Sequence, residues 1–200
     1  LFFFAIPLVI GNLFQQLYNT ADSIIVGNFV GSEALAAVGS SGPLINLLVG
    51  LFMGTATGAG VVISQYFGAK DRDNVSKAVH TTVAFALVSG IFLTAVGMVF
   101  SSAILKWMGT PPEVMENSVI YLRTYFAGSL FSVGYNMCTG VLNAVGDSRK
   151  PLYFLAIASV VNIALDLLFV VVFHMGVIGA ALATIISQAV SFVLVLWTLT

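Results

Sequence analysis

Six apolar stretches, each long enough to cross a lipid bilayer and separated only by short turn-like segments, leave this chain few ways to fold. A helix needs about 20 mostly apolar residues to span the hydrocarbon. Within lipid, only helices and closed barrels satisfy every backbone hydrogen bond. The stretches fall at about 3–29, 36–66, 76–106, 115–145, 151–173 and 177–200. The second, third and fourth are long enough to tilt or to project past the membrane. Their separators carry turn residues, such as Gly31-Ser32-Glu33, Gly109-Thr110-Pro111-Pro112 and His174-Met175-Gly176. Pro151 stands at the head of the fifth stretch, where a missing N–H does no harm. The expected fold is an all-α membrane protein with six transmembrane helices.

Composition closes off the other classes. Charged residues make up 8% of the 200 positions, against about 25% in a typical soluble domain, and the mean hydropathy is +1.05. A net charge of −1 provides no basic surface for nucleic acid. The single cysteine, Cys138, cannot form an internal disulfide and reads as a packing residue. His80 and His174 lack metal-ligand neighbours at the usual spacings, so no metal site is expected. No phosphate loop, nucleophile elbow or zinc-hydrolase motif occurs, and no enzyme is expected. The chain opens on Leu1 without a signal-peptide pattern and stops in an apolar run at Thr200, so a piece of a longer protein is expected.

Loop charges set the expected orientation. Lys70, Arg72 and Lys77 lie between the second and third stretches, and Arg149 and Lys150 between the fourth and fifth. By the positive-inside rule both loops face the cytoplasm, and six crossings put both chain ends there too. The opposite loops carry Glu33, Glu113 and Glu116, with Lys106 the only lysine nearby.

Two carboxylates break the apolar pattern. Asp22 and Asp166 lie inside membrane-length segments, where a charge costs roughly 2.5–3.5 kcal/mol on insertion scales and marks a functional site by default. Each lies eight residues before the outer end of its span, at Val30 and His174, so both sit roughly 12 Å below that end. Thr184 falls in the same layer, and Asn162 lies one turn below Asp166 on the same face. The spacing allows all four to line one pocket that holds a cation. The competing reading is a pair of structural carboxylates held by neighbouring amides.

Polar stripes run beside them. Asn12, Gln15, Asn19 and Asp22 recur at helical steps on the first span, with Tyr18 adjacent. The fourth carries Tyr121, Tyr125, Ser129, Ser132, Asn136, Thr139 and Asn143. Such stripes face protein or water, because lipid cannot satisfy them. They read equally as interhelical hydrogen bonding and as the lining of a polar cavity, with Gln15, Asn19, Tyr121 and Asn136 the candidate lining residues. Pro7 interrupts the first span, giving either a fixed kink or a hinge coupled to Asp22. Gly50, Gly54 and Gly58 form a small-residue ladder that invites close approach of a neighbouring helix.

Three segments together resemble one family. The run PLVIGNLFQQLYNTADSIIVGNFVGSEALAAVG from Pro7 to Gly39, GVLNAVGDSRKP at 140–151, and Asn162-Ile-Ala-Leu-Asp166 followed by GVIGAALAT are similar to multidrug and toxic compound extrusion (MATE) transporters of the DinF-like branch. The resemblance covers nearly all of the chain. It implies one six-helix lobe, the N-terminal one, of a twelve-helix transporter whose C-terminal lobe is not in this sequence. It further implies export of small organic, often cationic or amphipathic, compounds in exchange for Na⁺ or H⁺ across a bacterial or archaeal plasma membrane. No cofactor beyond that coupling ion is implied. Asp22, Asn162, Asp166 and Thr184 match the family's first-lobe cation or proton site, and Pro7 its kinking proline. Other branches of the family place their cation site in the second lobe. A lipid-linked saccharide flippase of the related superfamily is an alternative, but intramembrane Lys and Arg are scarce. An intramembrane aspartyl protease is another, against which neither aspartate has a Gly-x-Gly-Asp context. A channel would need a selectivity constriction, and none is legible.

Overall fold

In a computed structural model, which describes residues 2–199, every regular element is helical. The elements are α1 (Phe2–Phe29), α2 (Ser32–Gly68), α3 (Arg72–Trp107), α4 (Pro112–Ala127), α5 (Ser129–Ala144), α6 (Arg149–Asp166) with a π-helical continuation (Leu167–Val172), and α7 (Gly176–Leu199). Thr200, the expected end of the sixth span, lies outside the described residues. Helices α2, α3, α6 with its continuation, and α7 are long and apolar enough to cross a membrane by length and composition.

The helix ends follow local chemistry. Asp71 caps α3 by accepting from the Asn74 backbone N–H at 3.2 Å and from its side-chain amide at 2.7 Å. That backbone bond holds the Asp71 carboxyl below its ordinary value. Pro111 and Pro112 open α4, where no helical N–H is lost. Gly109 (φ +74°) and Gly146 (φ +89°) turn the chain after α3 and α5 in a left-handed conformation that costs glycine nothing. Lys150 pairs with Asp147 at 3.1 Å beside the start of α6.

Polarity is arranged for lipid. Val88, Phe92 and Val99 on α3 and Val160 on α6 are 65–69% exposed, while the interior holds many small residues. Ala86, Ala180, Ala181 and Ala183 are fully buried, as are Ser41, Ser101 and Ser118. Between helices, where lipid offers no hydrophobic drive, small residues let backbones approach and their hydroxyls bond across the gap. Ser40 meets Ser118 at 2.9 Å, and Thr94 meets Ser129 at 3.0 Å. Helix α5 packs on α2, α3 and α7, while α6 packs on α1 and α7.

Three features differ from the sequence reading. The fourth span is not one helix, because α4 ends and α5 begins at Gly128. A Gly-Ser pair is a recognised site of sharp bending. Here the Ser129 hydroxyl also donates to the Gly90 carbonyl of α3 at 3.2 Å. A Cβ on Gly128 would lie 2.3 Å from Ile185 Cγ1, so α7 leans on the break itself. The fifth span widens into a π-helix directly after Asp166. The Gly50–Gly54–Gly58 ladder receives no close neighbour among the described residues, since a Cβ at each would meet nothing within 4 Å.

Replacing Gly128 by alanine should cost about 1–3 kcal/mol in thermal unfolding in detergent, as overpacking does. Ile185 cannot rotate clear, because its own Cβ is only 2.9 Å from the new methyl. Combined with Ile185→Ala, the loss should be smaller than the sum of the single changes. Strict additivity would contradict this packing.

Candidate functional site

Helical steps of four and three place Gln15, Asn19 and Asp22 on one face of α1, and that face borders a cavity of about 270 Å³. The other walls come from Asn46 of α2, Tyr121 and Tyr125 of α4, Ser132 and Asn136 of α5, and Thr184 and Gln188 of α7. Nine of the residues singled out in the sequence therefore share one cavity: Asp22, Gln15, Tyr18 and Asn19 of α1, Tyr121 and Tyr125 of α4, Ser132 and Asn136 of α5, and Thr184 of α7.

Asn162 and Asp166 do not line it. They are 1% and 0% exposed, packed where α6 meets α1 and α7. The single four-residue pocket allowed by the spacing is thus divided. Depth counting places residues along a helix axis but does not say which face turns toward the open space. Asp166 nonetheless lies close enough to Asp22 for their charges to act on each other, and the Tyr121 hydroxyl feels both charges without bonding to either.

These groups have few partners. Asp22 Oδ1, both oxygens of Asp166 and both polar atoms of Asn162 are buried without a hydrogen bond. Leaving such a group unmet costs about 1–3 kcal/mol, and more for a charged one. Among the described residues no lysine or arginine pairs with either aspartate. Thr184 donates its proton to the Ala180 carbonyl at 3.1 Å, which leaves the lone pairs of Oγ1 free. The Asp22 carboxylate and the Thr184 hydroxyl, which line one cavity, are hard oxygen acceptors suited to a proton or a small hard cation, with the Asp166 charge acting on Asp22 from behind the wall.

Pro7 sits lower on α1. The helix runs through it without a break, and it borders a smaller cavity of about 100 Å³ that shares Gln15 and Asn136 with the larger one. Among the lining residues that the sequence reading did not name are two carboxamides, Gln188 and Asn46. Gln188 follows Thr184 by one helical turn on the same face, a signal that was present in the spacing. Asn46 is an isolated amide in an apolar run beside Pro43, and only the packing of α2 against α4 gives it a place.

Because Asp22 and Asp166 lack cationic or donor partners, neutralising either should not destabilise the fold. Asp166→Asn in detergent without added Na⁺ should keep or raise the thermal midpoint. The pair Asp22→Asn and Asp166→Asn should be non-additive, the second change gaining less than the first. A loss above about 2 kcal/mol from Asp166→Asn would instead mark a carboxylate held by structural hydrogen bonds.

Residues 7–168 match the MatE family model. The probable multidrug resistance protein YoeA of Bacillus subtilis is 34% identical over 197 residues, covering 96% of this chain and 42% of that protein. A solved structure described as the outward-facing conformation of a multidrug resistance MATE family transporter superposes with a TM-score of 0.90 at 31% identity. The match covers 97% of this chain and 43% of that one. An inward-facing structure described in the same terms gives 0.87 at 29% identity, covering 98% and 46%. The chain spans about two fifths of the length of the curated relatives it matches. This all-α, multi-pass membrane lobe belongs to the MatE family.

Proposed function

We propose that this chain is the N-terminal lobe of an exporter of small organic compounds, driven by exchange for Na⁺ or H⁺ across the plasma membrane. The observation that carries the reading is the group of buried, unpartnered acceptors on Asp22, Asn162 and Asp166. Two interacting carboxylates in a low-dielectric interior need a cation between them, so a proton or Na⁺ is shared by the pair rather than owned by either. Thr184 and Asn162 supply further oxygens. The names of the relatives, multidrug resistance and export proteins, support the substrate class.

The cycle follows from the charge. With the site open to the outside, a cation shared by the two aspartates lowers the charge of the pair from −2 to −1. That weakens the electrostatic attraction of the cavity for a cationic substrate, which leaves outward. The lobe then rocks against its partner lobe and delivers the cation to the cytoplasm, where both chain ends lie. The similar superpositions on outward-facing and inward-facing relatives, at TM-scores of 0.90 and 0.87, support a lobe that moves largely as a unit. Pro7 serves as the hinge by which α1 adjusts to the state of Asp22, because it leaves one helical hydrogen bond unmade. Broad specificity fits a cavity whose wall sets Tyr18, Tyr121 and Tyr125 beside Val38, Ile45 and Val49, apolar and aromatic surface that accepts varied ligands.

Dye efflux from vesicles containing the full-length transporter, under separately imposed Na⁺ and H⁺ gradients, tests the reading. One gradient should drive efflux, and Asp22→Asn should reduce it at least tenfold. Normal gradient-driven efflux in that variant would remove Asp22 from the coupling site. Failure of either gradient to drive any dye would overturn the antiport reading, and lipid scrambling would then be the activity to assay.

A further inference from the structure

A separate cleft, of about 870 Å³, lies at the far end of α2, where the chain turns into α3 beside the end of α7. That volume is within the roughly 300–1,000 Å³ of ligand pockets. Its polar lining is Lys70, Arg72, Ser76 and His80. The last three recur at every fourth residue and so share one face of α3. The His80 Nδ1–H donates to the Ser76 carbonyl at 2.8 Å, which fixes the ring on that face.

The two cations have no anion to meet. Neither Lys70 nor Arg72 forms an ion pair among the described residues. Of the carboxylates beside them in sequence, Asp71 is committed to capping α3 through Asn74, and Asp73 is not part of the cleft wall. Lys70 also holds an awkward position. It closes α2 with its φ at +59°. Its N–H donates to the Phe67 carbonyl at 3.1 Å, and the Asp71 N–H to the Tyr66 carbonyl at 3.0 Å. Glycine is the usual residue at this point of such a turn, because it has no Cβ to strain. The turn gains nothing from a lysine there.

Depth in the membrane decides what the cations face. Helix α3 has 36 residues, about 54 Å of helix against roughly 30 Å of hydrocarbon. A central crossing leaves about 12 Å, or about eight residues, beyond the hydrocarbon at each end, which takes in Arg72 to His80. The rest of the cleft is apolar, from Phe67, Val75 and Val79, with Leu199 of α7. Phe67 is 53% exposed, and Trp197, two residues before Leu199, is 78% exposed, as suits an aromatic at a membrane surface. Unpaired cations beside an apolar wall at headgroup depth fit a phospholipid with a negative headgroup. A soluble anion would gain nothing from that wall. Basic pockets between membrane helices on the cytoplasmic side, the side that the loop charges predict for this turn, are known to take such headgroups.

We propose that the cleft between α2, α3 and α7 binds one anionic phospholipid, with Lys70 and Arg72 holding its phosphate and the apolar wall flanking its acyl chains.

The test titrates dioleoylphosphatidylglycerol and dioleoylphosphatidylcholine separately into the purified full-length transporter and counts bound lipid by native mass spectrometry. The unaltered protein should bind phosphatidylglycerol at least about tenfold more tightly than phosphatidylcholine. Lys70→Gly and Arg72→Gln should each weaken phosphatidylglycerol binding about fivefold and leave phosphatidylcholine binding unchanged. Because Lys70→Gly relieves the backbone of its turn, its loss cannot come from a damaged fold. Arg149→Gln, which removes a cation from the other basic loop, should change neither lipid. An equal loss in Arg149→Gln would reduce the effect to general surface charge and overturn the proposal. Undiminished phosphatidylglycerol binding in the double variant, or no preference between the lipids in the unaltered protein, would overturn it too. Displacement of phosphatidylglycerol by inorganic phosphate at equal concentration would make the cleft a site for soluble anions and overturn the lipid assignment. Each of these outcomes leaves the export reading as it stands.

Discussion

Two aspartates buried in an apolar bundle, close enough to feel each other and without a cationic side chain beside either, set the terms for the rest of this lobe. An intramembrane carboxylate is ordinarily met by a basic residue or by amide donors. Here Asp166 has neither, and its neighbour Asn162 is equally unpartnered. On α7, Thr184 has free lone pairs and the Gln188 Oε1 is unmet as well. Each unmet polar group in such a setting is costly, which marks these carboxylates as a candidate functional site.

The packing explains how such a centre is tolerated. Small residues along the interfaces bring helices close enough for hydroxyls to bond across, as between Ser40 and Ser118 and between Thr94 and Ser129. The break at Gly128 redirects the fourth crossing, and Ile185 of α7 packs directly against it. Directly after Asp166, the π-helical segment carries Val170 into a core formed with Ile25 and Val26 of α1 and Val177 of α7. The C-terminal ends of α1 and of the π-helical segment are thus tied to the N-terminal end of α7 next to Asp166.

Much of this was legible in the sequence, for physical reasons. Hydropathy over twenty-residue windows reports the crossings because lipid excludes polar backbone, and the helices begin and end within a few residues of the expected bounds. Asp22 and Asp166 stood out because a carboxylate in such a window is expensive. What the sequence could not carry was rotation and local geometry. Counting residues gave the depth of Asn162 and Asp166 but not that their side chains stay off the cavity wall. The Gly128 break depends on contacts with α3 and α7, which are distant in sequence. Gln188 was discoverable from its step after Thr184, yet its orphaned oxygen becomes apparent only in the packed bundle. The Gly50–Gly58 ladder shows the converse, a strong sequence pattern that meets no close neighbour among the described residues.

The central claim is that Asp22 and Asp166 act as one site for one cation. Equilibrium binding of radioactive sodium to purified protein, with the protons released or taken up counted by an indicator dye, tests it most directly. One cation per molecule, sodium or proton, should bind at this pair, and Asp22→Asn or Asp166→Asn alone should each abolish that binding. Undiminished cation binding in both variants would contradict the account.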